Sequence, residues 1–173
     1  MKKVMFVIIT TALLCTIIFG EKVEAAASNQ FLVINTLKNQ LAYYKDGRIV
    51  KTFKVATGKT LTPTPTGKFF IVNKIKNRPY YSGNIKGGDP RNPLGDRWLG
   101  LNVNGTWGTT YAIHGNNNEK SIGLHVSAGC IRMHNKEIRW LYDRLSVYTQ
   151  VLIVKSNASF NTMAKSNGFY AIN

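Results

Sequence analysis

Cysteine is nearly absent from this chain of 173 residues: there are two, Cys15 and Cys130. Acid is scarce as well, with 8 Asp and Glu against 23 Lys and Arg, a formal net charge of +15. Internal repeats and low-complexity blocks are lacking, which argues against solenoids and disordered tails. Only one long apolar run occurs, Val4 to Gly20, behind Lys2 and Lys3 and ahead of Ala25-Ala26-Ala27. That order is a secretory signal with a small-residue cleavage site, expected after Ala25 or Ala27. An uncleaved anchor is the alternative, since the run approaches the length of a membrane span. Residues 1–27 are therefore assigned as signal peptide, and the remainder is expected outside the membrane, in the cell wall or beyond.

Removing that segment leaves Cys130 alone, so no internal disulfide is expected. A lone thiol in an exported protein is reactive, intermolecular or an inert buried group. Residues 1–27 carry +1, leaving +14 on the rest. A field of that sign draws polyanions. Export disfavours nucleic acid and favours anionic wall polymers. The chain length suits one domain, and nothing in the sequence calls for an oligomer, so a monomer is expected.

What is present reads as mainly β. Phe31–Ile34, Leu41–Tyr44 and Ile49–Val55 form a predicted meander, with Asp46-Gly47 as hairpin turn. The third strand alternates Ile49, Lys51, Phe53, Val55 against Val50, Thr52, Lys54, the pattern of a half-buried strand. Pro63 and Pro65 make the following segment a loop. Further strands are predicted at 68–73, 98–103, 111–114 and 151–154. Residues 77–97 hold three of the five prolines and four glycines, a long loop of the kind that serves as a lid or binding wall. One helix is clear. Ile138, Leu141, Tyr142 and Leu145 make an apolar stripe, with Asn135 as expected N-cap and Glu137 in the first turn. The expected architecture is a β-sandwich or open barrel with that helix after Cys130, over a domain of residues 28–155. The tail, 156–173, is polar and weakly patterned, an edge element or a frayed end.

All three histidines, His114, His125 and His134, fall within a short stretch around Cys130. A thiol attacks as thiolate and needs a base or a positive field, and imidazole is the side chain suited to taking its proton. Gly129 permits a sharp turn before the thiol, which would bring the N–H of Cys130, with that of Gly129, to a developing oxyanion. Arg132 falls on the same strand face as Cys130 and would hold a substrate carboxylate or favour the thiolate. A buried inert cysteine remains open on composition alone. The order of ligands matches no usual zinc spacing, so no metal is assigned.

The stretch resembles the YkuD-type L,D-transpeptidase family, whose motif is His-Gly, a gap of about fifteen residues, then Ser-x-Gly-Cys-x-x-x-Asn. Here His114-Gly115 precedes Ser127-Ala128-Gly129-Cys130-Ile131-Arg132-Met133-His134-Asn135. Ser121-Ile122-Gly123, Ala56-Thr57-Gly58-Lys59, Thr62 to Gly67 and Gly87 to Gly95 are similar too. The resemblance spans Phe31 to Lys155. One departure is Ala128, where many members carry a second histidine, so the base role falls on His114. The resemblance implies that Cys130 attacks the carbonyl of residue three of a diaminopimelate-type peptidoglycan stem. D-Alanine leaves, and a second stem's amine resolves the thioester into a 3→3 cross-link. It implies that the Gly115 carbonyl orients His114, that Ser127 and Gly129 support the nucleophile turn, and that no cofactor is needed. Tyr80 and Tyr81 are expected to line the cleft. If water attacks the thioester instead, the outcome is hydrolytic trimming of the stem. Three rivals stand beside this reading: a sortase-like enzyme, a non-catalytic wall-binding protein, and a DNA-binding protein, the last disfavoured by the export signal.

Overall fold

The computed structural model describes residues 29–169; the expected signal segment and the last four residues lie outside them. The strands are β1 (Gln30–Asn35), β2 (Gln40–Lys45), β3 (Arg48–Lys54), β4 (Thr57–Gly58), β5 (Gly67–Lys76), β6 (Arg97–Leu101), β7 (Tyr111–His114), β8 (His125–Ser127), β9 (Ile131–Arg132) and β10 (Gln150–Val154). The helices are α1 (Asn135–Tyr142) and α2 (Phe160–Ser166). Eight strands form one sheet in the order β3-β2-β1-β10-β5-β6-β7-β9, curled into a half-barrel, and β4 pairs with β8 as a separate ribbon. The architecture is mainly β, as the strand spacing indicated.

Asp46 and Gly47 turn the β2–β3 hairpin with φ of 50° and 73°, both left-handed, as the tightest two-residue turn requires. The middle strands carry unbroken apolar runs because both faces of the sheet are covered. Leu32 and Ile34 of β1 join Leu41 and Tyr43 of β2 and Val151 and Ile153 of β10 in the main core, closed by Ile138, Leu141, Tyr142 and Leu145. Phe31 and Val33, with Ala42, Tyr44 and Leu152, face the other way against Met163, Ala164 and Phe169. Strand alternation assigns each neighbour to the opposite face.

That second face accounts for the tail, which is neither an edge strand nor frayed over its described part. Ser159 caps α2 by accepting from the Thr162 N–H, and the helix buries Met163 and Ala164 on the sheet. β3 differs from expectation as well. Of the residues assigned to its buried face, Ile49 is 39% exposed and only Phe53 is buried within the strand. β3 is the sheet's edge, and a register shift at Tyr43/Tyr44 carries its outer half away from the core.

The predicted α1 stripe is buried, although Leu145 lies just past the helix end. Its N-cap is His134, not Asn135. The Asn135 amide instead binds the loop after β7: Oδ1 accepts from the Asn116 N–H at 3.0 Å, and Nδ2 donates to the Asn116 carbonyl at 2.8 Å. A side chain that satisfies both backbone groups of one residue acts as a short strand partner.

Candidate active site

β6, β7 and β9 lie side by side, with Trp98 opposite His114 and His114 opposite Arg132. This row, with Cys130, lines a cavity of about 420 Å³. Tyr80, Tyr81, Pro93 and Leu94 of the long loop close one side, so both predicted tyrosines stand at the cleft. Tyr81 is 75% exposed at its mouth.

Cys130 is held by a stapled turn. The Ser127 hydroxyl donates to the Cys130 carbonyl at 2.6 Å and accepts from the Gly129 N–H at 3.1 Å. Gly129 has φ of +115°, and a Cβ there would meet Tyr111 at 3.0 Å, so the turn needs glycine. One expectation changes as a result. The Gly129 N–H is already engaged, which leaves the Cys130 N–H, without a hydrogen bond among the described residues, as the open donor beside the thiol. The thiol donates to the Thr110 carbonyl at 3.3 Å and is free of any disulfide.

His114 ends β7 and is only 3% exposed. Its Nδ1 lies 2.7 Å from the Gly115 carbonyl. A carbonyl only accepts, so Nδ1 carries the proton and Nε2 keeps its lone pair. Trp98 stacks on the ring at 5.5 Å and 17°. Burial lowers the imidazole from its usual 6.5 to about 4; the Gly115 and Leu94 carbonyls oppose the shift, while Arg132 and Arg78 add to it. Burial pushes the Cys130 thiol up, against a backbone hydrogen bond from Ala112 and the charges of Arg132 and Arg78. At neutral pH the pair therefore rests as thiol and imidazole, both uncharged.

The other two histidines are elsewhere. His125 lies on β8, with Nδ1 3.0 Å from the Thr57 hydroxyl, and His134 caps α1 and contacts Glu119. Sequence reasoning missed Arg78. Its guanidinium covers Trp98 at 4.0 Å and donates to the Gly108 and Thr109 carbonyls. No periodicity marks a basic residue in a loop. Trp98 was missed as well, and only the strand register shows that it faces His114.

The sequence profile of the YkuD family, the L,D-transpeptidase catalytic domain, matches residues 29–153. The chain belongs to this family. It is 46% identical to the Bacillus subtilis (strain 168) protein YqjB over 134 residues, 78% of this chain and 76% of that one. It is 44% identical to YkuD of the same organism over 108 residues, 62% of this chain and 56% of the relative. Both relatives are named for L,D-transpeptidases. The solved L,D-transpeptidase from Mycobacterium smegmatis superposes with a TM-score of 0.58 at 23% identity, over 72% of this chain and 58% of that one, and shares the fold. Gly115, whose carbonyl holds His114, is fixed from behind: a Cβ there would meet Asn135 Oδ1 at 2.1 Å and Gly95 Cα at 3.1 Å. Asn135 thus positions the carbonyl that orients the imidazole.

Proposed function

We propose that this chain is a cysteine L,D-transpeptidase that joins peptidoglycan stems through a thioester on Cys130. The observation that carries the reading is one cavity holding a free thiol, an imidazole with Nε2 unprotonated, and an open N–H at the nucleophile. The donor is a tetrapeptide stem ending in D-alanine. Its third carbonyl sits over the thiol; the S–C bond forms as the thiol proton passes to His114 Nε2. Negative charge develops on the carbonyl oxygen, held by the Cys130 N–H. Arg132 and Arg78 favour that anion, since both charges act at the thiol. The C–N bond then breaks, and His114 returns the proton to the departing D-alanine amine. A side-chain amine of a second stem attacks the thioester, loses its proton to His114, and restores the thiol with a 3→3 cross-link.

A neutral resting pair fits a buried site. The ion pair appears only when substrate supplies the carbonyl, which protects the thiol between turnovers. The signal-like segment supports delivery to the wall, and +14 beyond residue 27 supports attraction to anionic wall polymers, an effect that weakens with salt.

The test is mass spectrometry of the mature protein with disaccharide-tetrapeptide, beside Cys130→Ala. Loss of D-alanine with an adduct on Cys130, absent from the variant, is the expected result. Dimer shows cross-linking, and free tripeptide shows that water resolves the thioester instead. Folded protein that gives neither contradicts the reading.

A further inference from the structure

Among the described residues, seven other than glycine have positive φ, and five of these are Asn or Asp, the types that tolerate a left-handed backbone. Trp107, at φ 46°, is one of the two exceptions. Its indole is 72% exposed. A bulky residue in this conformation is strained, and strain kept at one place is a pointer to function.

The loop that presents it is pinned. Asn73 Nδ2 donates to the Trp107 carbonyl at 2.9 Å, and Trp98 Nε1 to the Gly108 carbonyl at 2.9 Å. Arg78 grips the Gly108 and Thr109 carbonyls. Trp98 and Arg78 both line the catalytic cavity, so the loop is fastened to the site itself. Its next residues reach the nucleophile, since Thr110 accepts from the thiol.

The surroundings share this character. Four large apolar side chains are more than 70% exposed: Leu61, Tyr81, Trp107 and Tyr148. Tyr81 borders the cavity. Leu61 rides the loop whose Lys59 N–H and Thr62 hydroxyl both bind the Ser127 carbonyl, behind the nucleophile turn. Three of the four therefore stand on loops that frame Cys130.

We infer that Trp107 is a stacking platform beside the cavity for a sugar ring of the glycan strand that carries the donor stem. The inference rests on the function proposed above. Two residues separate Trp107 from Thr110, a span of at most about 11 Å of chain. Three stem residues separate the acylated carbonyl from the sugar end, about 10 Å when extended. An extended donor seated on Cys130 is long enough for its first sugar to reach the loop that carries Trp107. An indole offers a large rigid apolar face at low entropic cost, which suits the C–H face of a hexose. The platform makes the enzyme select stems attached to glycan over free stem peptides.

Binding is measured in the Cys130→Ala background, which holds donor without turnover. Disaccharide-tetrapeptide is compared with the sugar-free tetrapeptide. The sugar is expected to tighten binding about tenfold. Adding Trp107→Ala removes most of that gain and leaves the sugar-free Kd unchanged, while Trp107→Tyr keeps most of it. Trp107→Gly relieves the strained φ, so it melts at or above the parent temperature while losing the sugar gain. Equal affinity for the two donors in the parent background, or a gain that survives Trp107→Ala, overturns the platform. D-alanine release is scored separately with intact Cys130. A sugar gain that depends on Trp107, with no release, sustains the platform and defeats the proposed chemistry instead.

Discussion

Two cavities are lined by neighbouring residues of the same segments, and they contrast in how far their polar groups are already paired. The cavity at Cys130 is about 420 Å³ and the other about 560 Å³. Leu94 and His114 face the first, whereas Gly95, Asp96 and Asn116 face the second. The larger cavity is richer in polar groups, yet its groups are mostly spoken for. Asn92 bonds the backbones of Arg78, Lys86 and Leu94. Asn116 and Asn135 hold one another's loops. Asp96 is paired with Arg97 and Arg139, Asp89 with Arg91, and Glu119 with His134. The cavity at Cys130 has two arginines and no acid on its walls, and the Cys130 N–H has no partner among the described residues. Under the proposed function, the first cavity holds the chemistry and the second belongs to the frame around it.

Breaking the reactive side should have the largest effect on rate and little on stability. Cys130→Ala abolishes D-alanine release, and His114→Gln lowers kcat by about 10²–10⁴-fold, both read by single-turnover kinetics with melting curves alongside. On the frame side the order reverses. Asn135→Ala leaves the Asn116 peptide unpaired, and about 1–3 kcal/mol of stability is lost in denaturant unfolding. Because the Gly115 carbonyl then loosens, kcat falls about tenfold with little change in KM.

Acid sharpens the contrast. His114 stays neutral in the fold down to about 4, against 6.5 for the free ring. Between those values the unfolded chain binds the extra proton, so stability falls as pH drops from 6.5 toward 4. The full shift corresponds to roughly 3 kcal/mol. Unfolding free energies of the parent and His114→Gln should converge across that window, the variant lacking this share of acid sensitivity. The smallest effect belongs to Arg139→Ala. Its half-exposed pair with Asp96 is worth about 0–1 kcal/mol, and D-alanine release should be unchanged.

Much of the site was legible because its chemistry is local in sequence. The turn Ser127 to Cys130 and the pair His114-Gly115 are adjacent residues whose backbone groups serve their neighbours. Arg78 and Trp98 were not legible, because their roles arise from strand register and from where a loop folds back. Asn135 looked like an N-cap since asparagine suits one, but the loop after β7 offered its amide two partners instead of one. The tail held an unused clue. Leu32-Val33-Ile34 and Val151 to Ile153 are apolar on both faces, and one helix covers one face. A second cover was required, and α2 provides it. β3 misled because alternation alone does not tell an edge strand from an inner one.

The most direct test of a neutral thiol–imidazole pair at this site is the pH dependence of kcat/KM for D-alanine release, with the folded fraction followed in parallel. Release that holds steady from neutral pH to about 5, and falls only near 4 as His114 takes its proton, is the predicted result. A fall centred near 6.5 in folded protein would contradict it, since the base would then be an imidazole open to water and not the buried His114.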